Sequence, residues 1–137
     1  MRPEVLSIQI ASAYTVQREF GFGFLESVYR RALAVELRFL GIAIREEVPY
    51  ELFHRVVSVG MYRADLVAES TVMVETKTGR GQDPGARGQL LNCLSAAGLS
   101  LGLVVHFGPR GVSIQRVVAS HATDRVRRSN PNTSLHL

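Results

Sequence analysis

"YRADLVAESTVMVETK", residues 62 to 77, decides how this chain folds. Two runs of β-forming residues flank the polar Glu69, Ser70 and Thr71, which reads as two strands joined by a hairpin loop. A three-residue loop sets Ala68 opposite Val72, Val67 opposite Met73 and Asp65 opposite Glu75. Directly opposed residues share a face, and strand alternation brings Lys77 to that face as well. Two carboxylates and an ammonium then converge at the open end of the hairpin, with Val67 and Met73 as its inner residues. A two-residue turn would slip the register by one and set Asp65 opposite Thr76, so loop length is decisive.

Like charges across a ladder are unfavourable unless something positive lies between them. A divalent cation suits the position: carboxylate oxygens, a backbone carbonyl and water are ligands for Mg²⁺ or Mn²⁺, with sites left over for phosphate oxygens. Such a cation polarises a phosphoryl oxygen and acidifies water, while a nearby lysine stabilises developing charge. The pattern is one for phosphodiester cleavage. The alternative reading of Asp65, Glu75 and Lys77 is a surface ion cluster guarding a sheet edge.

Outward from the hairpin, Val5, Ile8, Ser12, Ala13 and Val16 recur at helical spacing and predict a first helix over about residues 3–19. Gly21 and Gly23 break it, and Leu25, Val28, Ala32, Leu33 and Leu40 mark a second helix over about 24–40, ended by Gly41. "IREEVPYELF" and "VVSV" precede the decisive hairpin as further strands of an antiparallel meander, with His54 and Arg55 at an exposed turn. "GRGQDPGARG" is a loop, "QLLNCLSAAG" a short helix closed by Gly98, and "LGLVVHFG" and "VSIQRVVA" two last strands. One domain over residues 1–119 is expected, followed by a flexible basic tail over 120–137 carrying Arg125, Arg127 and Arg128.

Composition narrows the function classes. No apolar stretch approaches the roughly 20 residues that span a bilayer, and Glu4, Ser7 and Gln9 interrupt what would be a secretory signal, so a cytoplasmic protein with no membrane partner is expected. The lone Cys93 excludes an internal disulfide or a multi-cysteine metal site. Sixteen Lys and Arg against twelve Asp and Glu leave a net charge of +4, a mild bias towards polyanions.

"GFGFLESVY", residues 21–29, has the look of a glycine-rich phosphate loop, but Glu26 stands where a third glycine belongs and a helix, not a strand, precedes it. Together with "YRADL", "VETK" and "QLLNCLSAAGLSLGLVVHFG", this segment resembles the GxxExxY proteins, a branch of the PD-(D/E)xK nuclease superfamily. The name motif falls on Gly23, Glu26 and Tyr29, and the superfamily signature on Asp65, Glu75 and Lys77. The resemblance implies an α/β fold of the α+β kind: a restriction-endonuclease-like core with a small mixed sheet flanked by helices.

It also implies metal-dependent cleavage of nucleic acid, DNA ahead of RNA. Asp65, Glu75 and the backbone carbonyl of Thr76 would hold Mg²⁺ or Mn²⁺, Lys77 would act at the attacking water, Glu26 would complete or neighbour the site, and Gln89 would orient it. The chain departs from related nucleases at Cys93, Ala86, Arg87 and Gln17, which leaves a nuclease-like module that binds without cutting as the alternative. A homo-oligomer is left open.

For the remaining residues, Tyr29 reads as a core aromatic with a satisfied hydroxyl that supports the site. Cys93 reads as a small buried hydrophobe and His106 as a satisfied core histidine. Arg80 and Arg87 follow Lys77 closely enough to touch a phosphate backbone.

Overall fold

The computed structural model of the chain describes residues 3–120; the expected basic tail from residue 121 on, with Arg125, Arg127 and Arg128, lies outside them. Helix α1, Pro3–Phe20, opens on a proline, whose missing N–H costs nothing in a first turn, followed by Glu4, which complements the positive end of the helix dipole. Val5, Gln9, Ser12, Ala13 and Val16 are buried along one stripe. Ile8 packs partly buried against this stripe, and the buried Gln9 beside it donates its side-chain amide to the Val5 carbonyl at 3.2 Å.

Helix α2, Glu26–Phe39, starts two residues later than its spacing predicts. Its buried stripe is Tyr29, Leu33, Ala34 and Leu37, whereas Leu25 and Leu40, expected in the core, are exposed just outside its ends. The reason lies in the turn before it. Gly21 and Gly23 adopt φ +67° and +119°, a region where a side chain would be strained. The Tyr29 hydroxyl donates to the Gly21 carbonyl at 2.5 Å and accepts the Phe24 N–H at 3.4 Å. Its ring stacks on Phe107 at 4.6 Å between centroids. Tyr29 thus clamps the turn from within the core and sets where the helix can begin.

Five strands follow: β1 Ile44–His54, β2 Val57–Ala68, β3 Val72–Thr78, β4 Leu101–Gly108 and β5 Gly111–Val118, with helix α3, Ala86–Ala97, between β3 and β4. Their spatial order is the sequence order, and β3 and β4 are parallel while every other pair is antiparallel. A parallel pair needs a crossover, which α3 supplies. The "VVSV" and "YRADLVA" runs, expected as two strands, are one continuous β2. Arg55 and Val56, both at positive φ, make a tight turn back from His54 to Val57.

The sheet buries both faces. Towards α1 and α2 lie Leu66, Ala68, Val72, Val74, Leu103, Val105 and Phe107. Towards α3 lie Val67, Met73, Val104 and Val117 with Leu90, Cys93 and Leu94. Gly102 is required there, because a Cβ would stand 2.9 Å from the Leu90 side chain. Among the described residues, no helix is long and apolar enough to cross a membrane.

Candidate active site

The hairpin register has the predicted form: Ala68 pairs Val72, Val67 pairs Met73 and Leu66 pairs Val74. The Thr71 N–H donates to the Ala68 carbonyl at 3.0 Å across the loop, with Glu69 and Ser70 at φ +53° and +57°. A left-handed residue other than glycine costs roughly 1–2 kcal/mol. Glu69 offsets that by tying the loop to Ala43, whose N–H donates to its carboxylate at 2.7 Å and whose carbonyl accepts its N–H at 2.8 Å.

Main-chain pairing between β2 and β3 stops at Leu66 and Val74. At the next rung the carboxylates take over. Asp65 Oδ2 accepts the backbone N–H and the hydroxyl of Thr76, each at 2.8 Å. Glu75 Oε1 accepts the Asp65 N–H at 3.3 Å. The two acids therefore hold the strands together where the ladder ends, and they are brought close to each other in doing so.

Glu75 is buried, and burial together with the neighbouring Asp65 charge pushes its carboxyl up to about 7; the Tyr62 hydroxyl bonded to it and Lys77 pull the other way. Lys77 Nζ lies 3.4 Å from Gln89 Oε1, to which it donates, and 3.7 Å from the Asp83 carboxylate. Glu26, at the first position of α2, stays solvent-accessible, and its carboxyl is raised by partial desolvation and then by Asp65, with Lys77 and Arg30 opposing. Arg30, one helical turn on from Glu26, reaches towards Glu46 and Glu47, at 4.0 and 3.7 Å.

Asp65, Glu75, Lys77 and Gln89 are thus brought into one neighbourhood, with Glu26 near enough to feel Asp65 and Lys77. Among the described residues, no three His, Cys, Asp or Glu side chains are grouped so that they could hold a metal ion. Asp65 and Glu75 fit a hard divalent cation of the kind that takes one or two protein carboxylates, because the bonds that close the ladder bring them close together and Glu75, raised by burial and then by the Asp65 charge, would be relieved by a cation. Arg80 and Arg87, expected along a phosphate backbone, part company. Arg80 lies over the Phe22 ring, 5.5 Å from its centroid, while Arg87 donates to the Arg116 carbonyl at 3.4 Å.

Three residues escaped the sequence reading. Asp83 comes from the loop, where only its place after Lys77 offered a signal. Tyr62 lies an odd number of positions before Asp65, so alternation puts it on the opposite face. Yet Val48, Tyr50, Tyr62 and Ala64 pack on the α3 side, whereas Ile44, Leu66 and Ala68 pack on the other. Both strands of the ribbon exchange faces around Glu47 and Asp65, where Glu47 has φ +48° and drops out of the ladder. That twist carries the Tyr62 hydroxyl to Glu75 and beside Cys93. Cys93 is the buried thiol expected, its pKa raised by burial and by Glu75. The third is His106, buried as predicted but with its Nε2 unpartnered, so it is not a satisfied core histidine.

The sheet, the helices and this carboxylate pair define a nuclease-like class, and comparison with known proteins identifies it. Residues 3–117 match the family model of the PD-(D/E)XK nuclease superfamily, and the chain belongs to that superfamily. The crystal structure of SSO0001 has the same fold, with a TM-score of 0.58 at 18% identity over 74% of this chain and 55% of that one. The chain thus spans about half the length of that protein. No curated protein sequence matches it significantly.

Proposed function

We propose that this protein is a divalent-metal-dependent nuclease that hydrolyses phosphodiester bonds of DNA, or of RNA, and that it belongs to the GxxExxY branch of its superfamily. The observation that carries this reading is the replacement of the β2–β3 ladder by Asp65 and Glu75, with Lys77 two residues beyond.

Asp65, Glu75 and the Thr76 carbonyl would hold Mg²⁺ or Mn²⁺. When bound, the cation supplies positive charge to the phosphoryl oxygens and makes water more acidic. The protein's own groups do the rest. Gln89 and Asp83 orient the Lys77 ammonium, which donates to the attacking water or to a phosphoryl oxygen as negative charge develops. Tyr62 fixes the Glu75 carboxylate by donating to it. Glu26 enters from the α2 terminus, its position set by the Tyr29 clamp, and adds negative charge beside Asp65.

The test is cleavage of single-stranded, duplex and branched substrates with Mg²⁺ or Mn²⁺, comparing the native chain with Asp65→Asn, Glu75→Gln and Lys77→Met. Each substitution should cost at least about a hundredfold in rate. Cleavage that persists in all three sinks the assignment. Binding of nucleic acid without cleavage by the native chain would favour the non-cutting module.

A further inference from the structure

Parallel pairing sets Lys77 beside His106, and antiparallel pairing sets His106 beside Ser113. Paired residues share a face, so Lys77, His106 and Ser113 form a polar row across β3, β4 and β5, with steps of about 4.8 Å between strands. A groove of about 600 Å³ opens beside this row, lined by Arg80, Gln82, His106, Arg110 and Ser113 together with the β4–β5 turn. Among the described residues, its lining holds two guanidinium groups and no carboxylate.

His106 is only 6% exposed, and its Nε2 has no hydrogen-bond partner. A buried polar atom left without a mate is rare in a folded protein, and His106 also lines the groove, where a ligand can lie against the ring. The surroundings are built to keep the ring where it is. A Cβ on Gly108 would stand 3.2 Å from His106 Cε1 and 3.3 Å from Nδ1, so the imidazole occupies the space this glycine leaves. Gln17 Nε2 donates to the Gly108 carbonyl at 3.0 Å and anchors the turn, while Gln82 Nε2 donates to Ser113 Oγ at 2.7 Å. Phe22, from the glycine-rich turn before α2, lies under Arg80. An imidazole donor, a hydroxyl and two arginines share one class of ligand, a phosphate oxygen.

We infer that this groove binds a phosphate group of the substrate strand flanking the one that is cut, with His106 and Arg110 as positioning residues. The inference rests on the nuclease reading, but phosphate binding needs neither metal nor cleavage, so the two fail separately.

The full chain is titrated in EDTA, in two arms. In the first, inorganic phosphate is added while the imidazole nitrogens are followed by NMR, with His106→Gln assigning the signal; a saturable shift at His106, weakened in Arg110→Ala, is expected. In the second, binding of a fluorescein-labelled oligonucleotide is followed by anisotropy over a salt series. Arg110→Ala should lower the slope of log affinity against log salt by about one, and His106→Gln should weaken binding severalfold. Arg110 is exposed, so its variant reads out even if His106→Gln fails to fold. Absence of a His106 shift overturns the site. A shift with phosphate alongside wild-type oligonucleotide affinity and slope in Arg110→Ala overturns its assignment to the substrate strand and leaves a free-phosphate site. Groove variants that bind normally while Asp65→Asn abolishes cleavage would refute this inference and spare the nuclease reading.

Discussion

Strands β3 and β4 present two faces made from alternating residues of the same segments, and the two behave as different materials. On one face Val72, Val74, Leu103, Val105 and Phe107 are buried without interruption beneath α1 and α2. On the other, Met73 and Val104 lie beneath α3, and then Glu75, Lys77 and His106 take over. Apolar burial stabilises wherever it occurs, at roughly 25 cal/mol per Å². A buried carboxylate beside a second one works against folding. The continuous face thus supplies stability that the interrupted face gives up for its site.

The largest effect should come from the continuous face. Phe107→Ala removes the ring under Tyr29 and should lower unfolding free energy by about 3–5 kcal/mol, measured by urea denaturation. A loss below about 1 kcal/mol would break the contrast between the faces.

The interrupted face should respond to pH with a definite sign. Glu75 binds its proton more tightly folded, at about 7, than its ordinary value of 4.5. Its contribution is therefore complete below 4.5 and is lost as pH rises through about 7. Without metal, stability should fall by about 3 kcal/mol across that window. Glu75→Gln should flatten the decline and be more stable than the native chain above pH 7, the reverse of a core mutation. Mg²⁺ or Mn²⁺ should restore stability most at the alkaline end, as expected for a ligand of the folded form. A flat metal-free profile in the native chain would show that the carboxylate pair is not under tension.

The smallest effect links the two faces. Tyr29→Phe keeps the ring stacked on Phe107 but loses the bond to the Gly21 carbonyl, at a cost of roughly 1 kcal/mol in urea unfolding. Because the clamp places Glu26, cleavage should fall further than stability does. Equal small losses in both would make Tyr29 a core residue and nothing more.

Much of this was legible in the chain itself. The polar Glu69–Thr71 loop announced the hairpin register, which holds as far as Leu66 and Val74; one step beyond, Asp65 and Glu75 meet through side-chain bonds to the opposite strand and not as a ladder pair. The buried Cys93, the αL cap at Gly98 and the two final strands followed from equally local signals. The stripe of α2 did not, since Leu25 and Leu40 have the right spacing but lie beyond the helix, Leu25 before a start that Tyr29 sets through a contact with β4 and Leu40 at the end where Gly41 turns the chain.

What the sequence determined by itself, then, was which residues carry charge and which neighbours along a strand share a face. What tertiary structure decided was where that alternation fails and what lies across the sheet. The exchange of faces at Glu47 and Asp65 delivers Tyr62 to Glu75, and the parallel crossover through α3 sets His106 beside Lys77. Neither is encoded in spacing, because the first depends on an irregularity in the β1–β2 ladder and the second on β3 and β4, separated by α3, meeting in one register and not another.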